Sequence, residues 1–152
     1  KVIFASPDVG GVKRARTYAK HFLKNLVICD KYRTKANEIA EMRVIGDVKG
    51  GDVILVDDLV DTAGTLCRAA DVLIQEGALS VRALCSHPVL SGKAIENIEK
   101  SSLKELIVCD TLPIPPAKQS QKIKVLSSAK LFARAIRNTH EHRSISALFI
   151  EG

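Results

Sequence analysis

The sequence predicts an α/β fold, a three-layer sandwich with a mostly parallel central sheet. Short apolar runs alternate along the chain with segments whose apolar residues recur at helical spacing. The clearest run, Val53 to Val56, is continuous and rich in β-branched residues, as is typical of strands covered on both faces. The chain has 152 residues, enough for one compact domain, and contains no internal repeat or low-complexity tract.

Each element follows from these patterns in chain order. Strands are predicted at the apolar runs Val2 to Ala5, Leu26 to Cys29, Arg43 to Val48, Val53 to Val56, Val81 to Cys85 and Leu106 to Cys109. Helices are predicted from helical spacing within residues 12–23, 66–74, 91–98 and 125–136. Residues 30–42, 49–52 and 112–121 are polar, charged or rich in Gly and Pro, and these features predict loops or turns. The tail from Ser144 to Gly152 has an extended character.

Composition narrows the class of protein. Hydrophobic residues make up 46% and charged residues 26%, which is typical of a soluble globular domain. No apolar run approaches the roughly 20 residues of a membrane helix, and no signal peptide is evident, so we expect a cytoplasmic protein with no membrane partner. The first residues lack an initiator Met and enter a strand at once, so we expect a piece of a longer chain.

The net charge of +6 suits anionic partners without selecting among them. Aromatic residues make up only 4%, and no nucleic-acid-binding signature is visible, so nucleic acid is not an expected partner. The cysteines, none of them in a CxxC pair, are expected to be reduced core thiols: Cys29, Cys67, Cys85 and Cys109.

An acidic segment follows the clearest strand. Asp57, Asp58 and Asp61 can accept hydrogen bonds from sugar hydroxyls or hold Mg²⁺. The turn Thr62–Thr65 can offer backbone N–H groups and two hydroxyls to an anion at a helix N-terminus. The plain alternative is a helix start with acidic capping residues. Three carboxylates in five positions repel one another unless a cation or donor offsets them, so we favour a site for a sugar phosphate at a topological switch point.

The segment VILVDDLVDTAGT resembles the phosphoribosyl-pyrophosphate binding motif of type I phosphoribosyltransferases and phosphoribosyl pyrophosphate synthetases. Four other segments resemble the synthetase alone: Ser6–Arg16, Asp30–Glu38, Ser86–Ile98 and Ser144–Phe149. The resemblance covers nearly the whole chain, with the motifs in the same order. It implies a single type I phosphoribosyltransferase-like domain over residues 1–152, the C-terminal half of a two-domain chain.

The resemblance also implies roles for individual residues. Ribose 5-phosphate would be bound by Asp57, Asp58, Asp61, Thr62, Ala63, Gly64 and Thr65. Mg²⁺ would be held by Asp8, Asp57 and Asp58, together with a His of the other half. Lys31 and Arg33 would be catalytic, stabilising charge on the transferring group. A regulatory site for ADP and phosphate between subunits would include Ser144, Ser146 and Phe149.

The residues alone leave plainer alternatives open. Asp8 in a strand-to-helix turn can simply cap the helix, and Lys31 and Arg33 can be a solvated surface pair. For Ser144 to Phe149 the alternative is an ordered end strand with its apolar residues buried in the core or an interface. The basic cluster Lys13, Arg14, Arg16 and Lys20 predicts a solvated helix face, or less often contact with an acidic partner subunit or ATP.

The activity implied by the resemblance is transfer of pyrophosphate from MgATP to ribose 5-phosphate, giving AMP and 5-phosphoribosyl 1-pyrophosphate. The partners implied are ATP, ribose 5-phosphate, the missing N-terminal half and further copies in a homo-oligomer, a hexamer in the family. We expect the chain to bind ribose 5-phosphate weakly and to be inactive alone. The alternatives are a phosphoribosyltransferase, which shares the acidic segment, and a non-catalytic regulatory subunit, which tends to lose catalytic residues that are present here.

Overall fold

A seven-stranded sheet forms the centre of the computed structural model, which describes residues 1–32 and 41–150. The strand order is β3-β2-β1-β4-β5-β6-β7, and neighbouring strands are parallel except for β2 and β3. The strands are β1 (Val2–Ser6), β2 (Asn25–Tyr32), β3 (Glu41–Ile45), β4 (Asp52–Val60), β5 (Ser80–Pro88), β6 (Leu103–Cys109) and β7 (Ile123–Leu126).

Helices cover both faces of the sheet. They are α1 (Val12–His21), α2 (Gly64–Gln75), α3 (Ala94–Lys100) and α4 (Ala129–His140). Alternate strand residues divide the core, because successive side chains of a strand point to opposite faces. Phe4 and Val56 pack with the α1 alanines, whereas Ile3 and Leu55 belong to the larger cluster that includes Leu73 of α2 and Ile98 of α3. The predicted three-layer α/β sandwich with a mostly parallel sheet is therefore confirmed.

The strand order reverses between β1 and β4. The chain leaves β1 through α1 towards β2, and it leaves β4 through α2 towards β5 on the opposite side. β1 and β4 are parallel neighbours in register, with Ala5 beside Leu55. The turns that follow their carboxyl ends therefore flank one crevice, which is where open α/β sheets bind ligands. The expectation that the acidic segment lies at a switch point is confirmed.

Several predicted boundaries were wrong. Val125 was assigned to the last helix, but it lies in β7, an edge strand parallel to β6, and α4 begins only at Ala129. The predicted loop 30–42 overlaps the end of β2 and the start of β3, which pair as far as Tyr32 and Glu41; the rest of that loop lies outside the described residues. The tail was expected to be extended, but it forms a 3₁₀ turn at Ser146–Leu148.

The cysteine prediction is confirmed in its main point. All four cysteines are unpaired; Cys29, Cys67 and Cys85 are buried and Cys109 is half-buried. Burial raises the pKa of the Cys29 thiol, and burial together with the nearby Asp57 and Asp58 raises that of the Cys85 thiol, each to about 12. Both thiols are therefore protonated and unreactive at neutral pH. Within the described ranges, the helices are too short and too polar for any of them to cross a bilayer.

Candidate active site

The acidic segment begins inside β4. Asp57 pairs in register with Cys85, and the strand runs on to Val60, which is 2% exposed and anchors the segment in the core. Asp57 and Asp58 are therefore part of the strand, whereas the sequence suggested that the strand ends at Val56. Pairing with β5 holds these two carboxylates at the carboxyl edge, beyond Leu55, where the pairing of β4 with β1 ends.

Arg14 is the cation that offsets the first two carboxylates. From the first turn of α1, its Nη1 lies 3.0 Å from Oδ1 of Asp57, and its Nη2 lies 2.5 Å from Oδ2 of Asp58. The guanidinium side chain is 33% exposed, so the contact lies at the surface of the crevice. The Arg14 guanidinium therefore offsets the repulsion expected between the carboxylates of Asp57 and Asp58. Arg14 belongs to the site and not to a solvated helix face.

The two carboxylates have opposite pKa shifts. Partial burial raises the pKa of Asp57, and the neighbouring Asp58 charge adds to this against the opposing effect of Arg14. For Asp58, burial is the largest single effect and raises the pKa, but the hydrogen bond with Asp57, the Arg14 charge and backbone N–H donors together outweigh it, so the pKa is lowered. As pH falls, Asp57 therefore takes up a proton before Asp58, the more exposed carboxylate.

The turn Thr62–Thr65 starts α2 without a side-chain cap. Ala63 is the N-cap residue and has a left-handed backbone with φ of 60°. Among the described residues, no side chain accepts a hydrogen bond at this cap position, so the acidic residues do not cap the helix as the plain alternative required. A left-handed residue followed by helical ones directs successive N–H groups to one side, which is the backbone arrangement of an anion-binding nest.

Gly64 leaves open space in front of this turn. A Cβ added at Gly64 would meet only Oγ1 of Thr62, at 3.8 Å. The described protein atoms therefore give no reason for a glycine at this position. A ligand that approaches the backbone closely would give one.

Two polar residues outside the segment support the turn. Oγ of Ser91 donates a hydrogen bond to Oδ1 of Asp61, and the Ser91 backbone N–H donates to the Asp61 carbonyl over 3.1 Å. Nδ2 of Asn97 in α3 donates to the Thr62 carbonyl over 2.9 Å. These contacts fix the backbone on both sides of the bend and restrict Asp61 to one orientation.

Asp8 lies in the turn between β1 and α1. Its Oδ1 accepts a hydrogen bond from the Gly11 N–H over 2.7 Å, and its carbonyl accepts one from the buried Ser6 hydroxyl over 2.6 Å. A Cβ at Gly11 would lie only 2.8 Å from Oγ of Ser6, so a side chain there would disrupt the turn. Asp8 thus stabilises its own turn, yet its side chain also lines the crevice.

The acidic segment, the turn Thr62–Thr65 and Asp8 line a single cleft. It has a volume of about 200 Å³, and its lining includes Asp8, Asp57, Asp61 and the turn Thr62–Thr65. The structure therefore brings together all the residues expected to bind the sugar phosphate, except Asp58, which is at the rim with Arg14.

The donor set of this cleft is limited for a metal. Across the part of the chain that the structure describes, no group of three or more His, Cys, Asp or Glu side chains could hold a metal ion. Mg²⁺ commonly binds through one or two carboxylates and completes its octahedron with water and substrate phosphates. Asp57 and Asp58 fit that mode, because each accepts from Arg14 through one oxygen and has a second oxygen.

A larger cavity lies elsewhere, at the connection between β6 and β7. It has a volume of about 570 Å³ and is lined mainly by apolar residues such as Ile114 and Ile123. Its one carboxylate, Asp110, accepts hydrogen bonds from Ser127 and Ser128. No residue of the acidic segment lines it, so its size does not make it the better candidate.

Lys31, one of the two predicted catalytic cations, does not line the acidic cleft. Lys31 is exposed and lies in β2, in register with Met42 of β3, whereas the sequence suggested a loop. Ser6, the last residue of β1, pairs with Ile28, so β2 carries Lys31 three residues, or roughly 10 Å, beyond that edge. No ion pair joins Lys31 to the acidic segment among the described residues. Arg33 lies outside them.

The predicted regulatory residues lie on the exposed tail. The hydroxyls of Ser144 and Ser146 are 2.5 Å apart, and Nδ2 of Asn138 donates to the Ser144 carbonyl over 3.0 Å. Phe149 is 68% exposed, so burial in this chain's own core does not explain it. None of these residues lines the described acidic cleft.

Fold and cleft together define a phosphoribosyltransferase-like α/β domain with an acidic crevice at its switch point. Orotate phosphoribosyltransferase from Aeropyrum pernix has the same fold, with a TM-score of 0.55 at 18% identity over 90% of this chain and 64% of that one. The chain belongs to the phosphoribosyl synthetase-associated domain family, whose profile matches residues 9–150.

Similar proteins include two curated ones called ribose-phosphate pyrophosphokinase. That of Porphyromonas gingivalis is 53% identical and that of Wolinella succinogenes 55% identical, in each case over 97% of this chain and 47% of the relative. The crystal structure of phosphoribosylpyrophosphate synthetase from Mycobacterium smegmatis matches with a TM-score of 0.84 at 37% identity, over 93% of this chain and 45% of that one. The chain spans about half the length of the curated relatives it matches.

Sequence reasoning missed three residues of the site: Arg14, Ser91 and Asn97. The only signal for Arg14 was a basic residue in the first turn after β1, and it required knowing that β1 and β4 are neighbours. Ser91 and Asn97 were inside a segment that resembled the synthetase, but no pattern indicated that they contact the acidic segment.

Proposed function

We propose that this chain is the ribose 5-phosphate half of a ribose-phosphate diphosphokinase, an enzyme of nucleotide biosynthesis that transfers pyrophosphate from ATP to the anomeric hydroxyl of ribose 5-phosphate. The supporting observation is the cleft in which three carboxylates adjoin an uncapped helix N-terminus. One end suits sugar hydroxyls and the other a terminal phosphate. The names of the relatives support the same reaction.

The acidic end would hold the ribose. Asp57, Asp58 and Asp61 would accept hydrogen bonds from its hydroxyls, with Asp61 held ready by Ser91. At the other end the backbone N–H groups of Ala63, Gly64 and Thr65, with the Thr62 and Thr65 hydroxyls, would donate to the 5-phosphate. Two anchors at opposite ends of a small sugar fix its orientation, and orientation is a large part of catalysis in phosphoryl transfer.

Mg²⁺ would be held by Asp57 and Asp58, and by Asp8, which lines the same cleft as Asp57, through water. When bound, Mg²⁺ neutralises charge on phosphate oxygens and aligns the transferring group. Lys31, on the β2 side of the crevice, would supply positive charge to the same group, and so would Arg33. Transfer forms a bond from the anomeric oxygen to the β-phosphorus of ATP, and AMP leaves with the electron pair of the broken bond.

We further propose that a second half, present in the longer relatives, supplies the ATP side and packs on this chain. Two apolar surfaces support this proposal. The sheet residues Leu84 and Ile107, in register on the α1 side of β5 and β6, line an open depression of about 170 Å³. No residue of α4 is buried in the described part of the chain, and Phe132 and Ile136 are 57% and 69% exposed. Contiguous exposed apolar area of this kind indicates an interface.

The remaining expectations belong to the assembled enzyme. Copies would join in a homo-oligomer, a hexamer as in the family, and Ser144, Ser146 and Phe149 would complete a regulatory site for ADP and phosphate at a subunit contact. The exposure of Phe149 on the tail that follows α4 supports that role. A cytoplasmic location suits an enzyme that uses ATP and ribose 5-phosphate.

The test is AMP release from ATP and ribose 5-phosphate with no nucleobase present. We expect no turnover by the 152-residue chain, and turnover once it is joined to the upstream half of a relative such as the Wolinella succinogenes enzyme. Asp57→Asn should abolish that activity, whereas Asp47→Asn, an exposed carboxylate that pairs with Lys1, should leave it intact. Turnover that requires a nucleobase would indicate a phosphoribosyltransferase, and a joined chain that binds without turnover would indicate a regulatory subunit.

A further inference from the structure

Arg14 bridges two carboxylates in a way that leaves part of each carboxylate available. Nη1 contacts Oδ1 of Asp57, and that oxygen also accepts the Asp58 N–H over 2.9 Å. Nη2 contacts Oδ2 of Asp58. Among the described residues, no side chain donates to the second oxygen of either carboxylate, while the backbone N–H groups of Asp58 and Leu59 act on the Asp58 carboxylate. One guanidinium therefore serves two anions with a single contact to each, where the strongest Arg–carboxylate geometry would be two contacts to one anion.

The same two carboxylates are those proposed to take a divalent cation. A guanidinium and a divalent cation beside the pair would place three positive charges against at most two negative ones. At the effective dielectric of a protein surface, charges a few ångströms apart repel strongly enough to change an equilibrium constant by roughly tenfold or more. Arg14 in its present position therefore opposes cation binding.

The Arg14 side chain has room to leave. It is one-third exposed, while α1 is anchored by the buried Ala15 and Ala19, so the side chain can rotate without moving the helix. A Cβ at Gly11 would lie 3.5 Å from Nη1 of Arg14, so the glycine keeps the space beside the guanidinium clear. The Arg14–Asp58 contact is exposed and contributes little to stability, so breaking it costs correspondingly little, whereas the Arg14–Asp57 contact is partly buried.

We propose that Arg14 is a positioning residue that acts as an exchangeable counter-ion for Asp57 and Asp58. It neutralises the pair in the empty site and gives way to a divalent cation. This inference rests on the proposed function. A consequence is that phosphate oxygens, by offering Arg14 another partner, favour entry of the cation, so that sugar phosphate and cation bind cooperatively.

Mn²⁺ binding, followed by the loss of the free-ion electron paramagnetic resonance signal, tests this without turnover. Arg14→Gln should bind Mn²⁺ about tenfold more tightly than the wild-type chain with no sugar phosphate present. Arg14→Lys keeps the charge but cannot bridge both carboxylates, so we expect a smaller gain. It also serves as the test if Arg14→Gln does not fold, as judged by circular dichroism.

Arg16→Gln is the matched control. It removes the same formal charge two residues along α1, from an exposed side chain with no described ion pair. We expect the Mn²⁺ affinity of this variant to stay within about twofold of wild type, because solvent screens exposed charges. Adding Asp58→Asn to Arg14→Gln should remove the gain, which assigns it to this carboxylate pair.

Mn²⁺ affinity unchanged or weaker in both Arg14 variants would overturn the counter-ion role, as would an equal gain in Arg16→Gln. Adding ribose 5-phosphate to the wild-type chain should tighten Mn²⁺ binding several-fold. If Arg14→Gln tightens Mn²⁺ while ribose 5-phosphate has no effect on any variant, the counter-ion role stands and the proposed substrate is wrong.

Discussion

Gly64→Ala should affect stability and ligand binding in opposite directions, which tests whether Gly64 is needed for the fold or for the ligand. Gly64 is the first residue of α2 and lines the cleft, and its φ is not in the left-handed region. The added methyl group would touch only Oγ1 of Thr62 at 3.8 Å, an ordinary van der Waals distance. Alanine also favours the helix over glycine, so we expect the free energy of unfolding to be unchanged or to rise by up to about 1 kcal/mol.

Ligand binding should respond in the opposite direction. A methyl group in front of an uncapped helix start keeps phosphate oxygens away from the N–H groups of Gly64 and Thr65. Losing one charge-assisted hydrogen bond costs about 1.5–3 kcal/mol, which corresponds to about 10- to 150-fold weaker binding of ribose 5-phosphate. The variant would then be at least as stable as the wild type and much poorer at binding.

Isothermal titration calorimetry with ribose 5-phosphate and urea unfolding measure the two effects. Gly50→Ala is the matched control, because Gly50 precedes β4 at the opposite end of the strand. Its φ of +65° makes alanine unfavourable by about 1 kcal/mol, while nothing lies within 4 Å to clash. This control should lose stability and keep binding. If Gly64→Ala binds ribose 5-phosphate within twofold of wild type, the backbone of this turn does not contact the phosphate.

Three further predictions concern the frame around the site. Lys122→Met should lower the free energy of unfolding by about 1–2 kcal/mol, because the Lys122 ammonium donates to three carbonyls at the end of α3 over 2.9–3.0 Å. Lys100→Met, which changes an exposed lysine of α3, should cost under about 0.5 kcal/mol. Equal costs for the two variants would contradict a capping role for Lys122. Gly46→Ala should lower the free energy of unfolding, measured in urea, by about 2–4 kcal/mol, because Gly46 has a φ of +121° and the new Cβ would lie 2.6 Å from Cγ1 of the buried Val27. No change in the free energy of unfolding would exclude that backbone conformation. Hydrogen bonds from Ser127 and Ser128 lower the pKa of Asp110 in the folded chain. The ionised Asp110 therefore stabilises the fold above its unfolded pKa near 3.8, and this contribution is lost as pH falls below that value. The stability difference between wild type and Asp110→Asn should shrink below about pH 4, and a difference independent of pH would contradict this.

The layered α/β fold was predictable because its signals are local. The apolar run at Val53 to Val56 and the helical spacing after Thr65 report burial directly, and both elements are present. β7 was not predictable by the same means. Val125 and Leu126 are 53% and 60% exposed at the sheet edge, so only their pairing with β6 identifies the strand.

The candidate site likewise has a part that could be predicted from local sequence and a part that could not. The acidic segment and the turn Thr62–Thr65 are contiguous in sequence, so their residue types alone indicated a sugar phosphate. The contacts that hold them come from residues 30 to 44 positions away, namely Arg14, Ser91 and Asn97. Such contacts depend on which strands are neighbours, and a single sequence carries no local signal for that.

The strand order also explains why Arg14 and Asp8 face the acidic pair at all. β1 and β4 are parallel neighbours at the point where the sheet reverses direction, so the residues that follow each strand must meet at one edge. Asp8 follows β1 by two residues, and Arg14 lies in the first turn of α1, where it contacts Asp57. The strand order therefore brings the residues that follow β1 close to Asp57 and Asp58, and this closeness makes the ion pairs of Arg14 possible. A basic residue in the first turn of the helix after β1 is then the place to look for a counter-ion to carboxylates at the end of the neighbouring central strand.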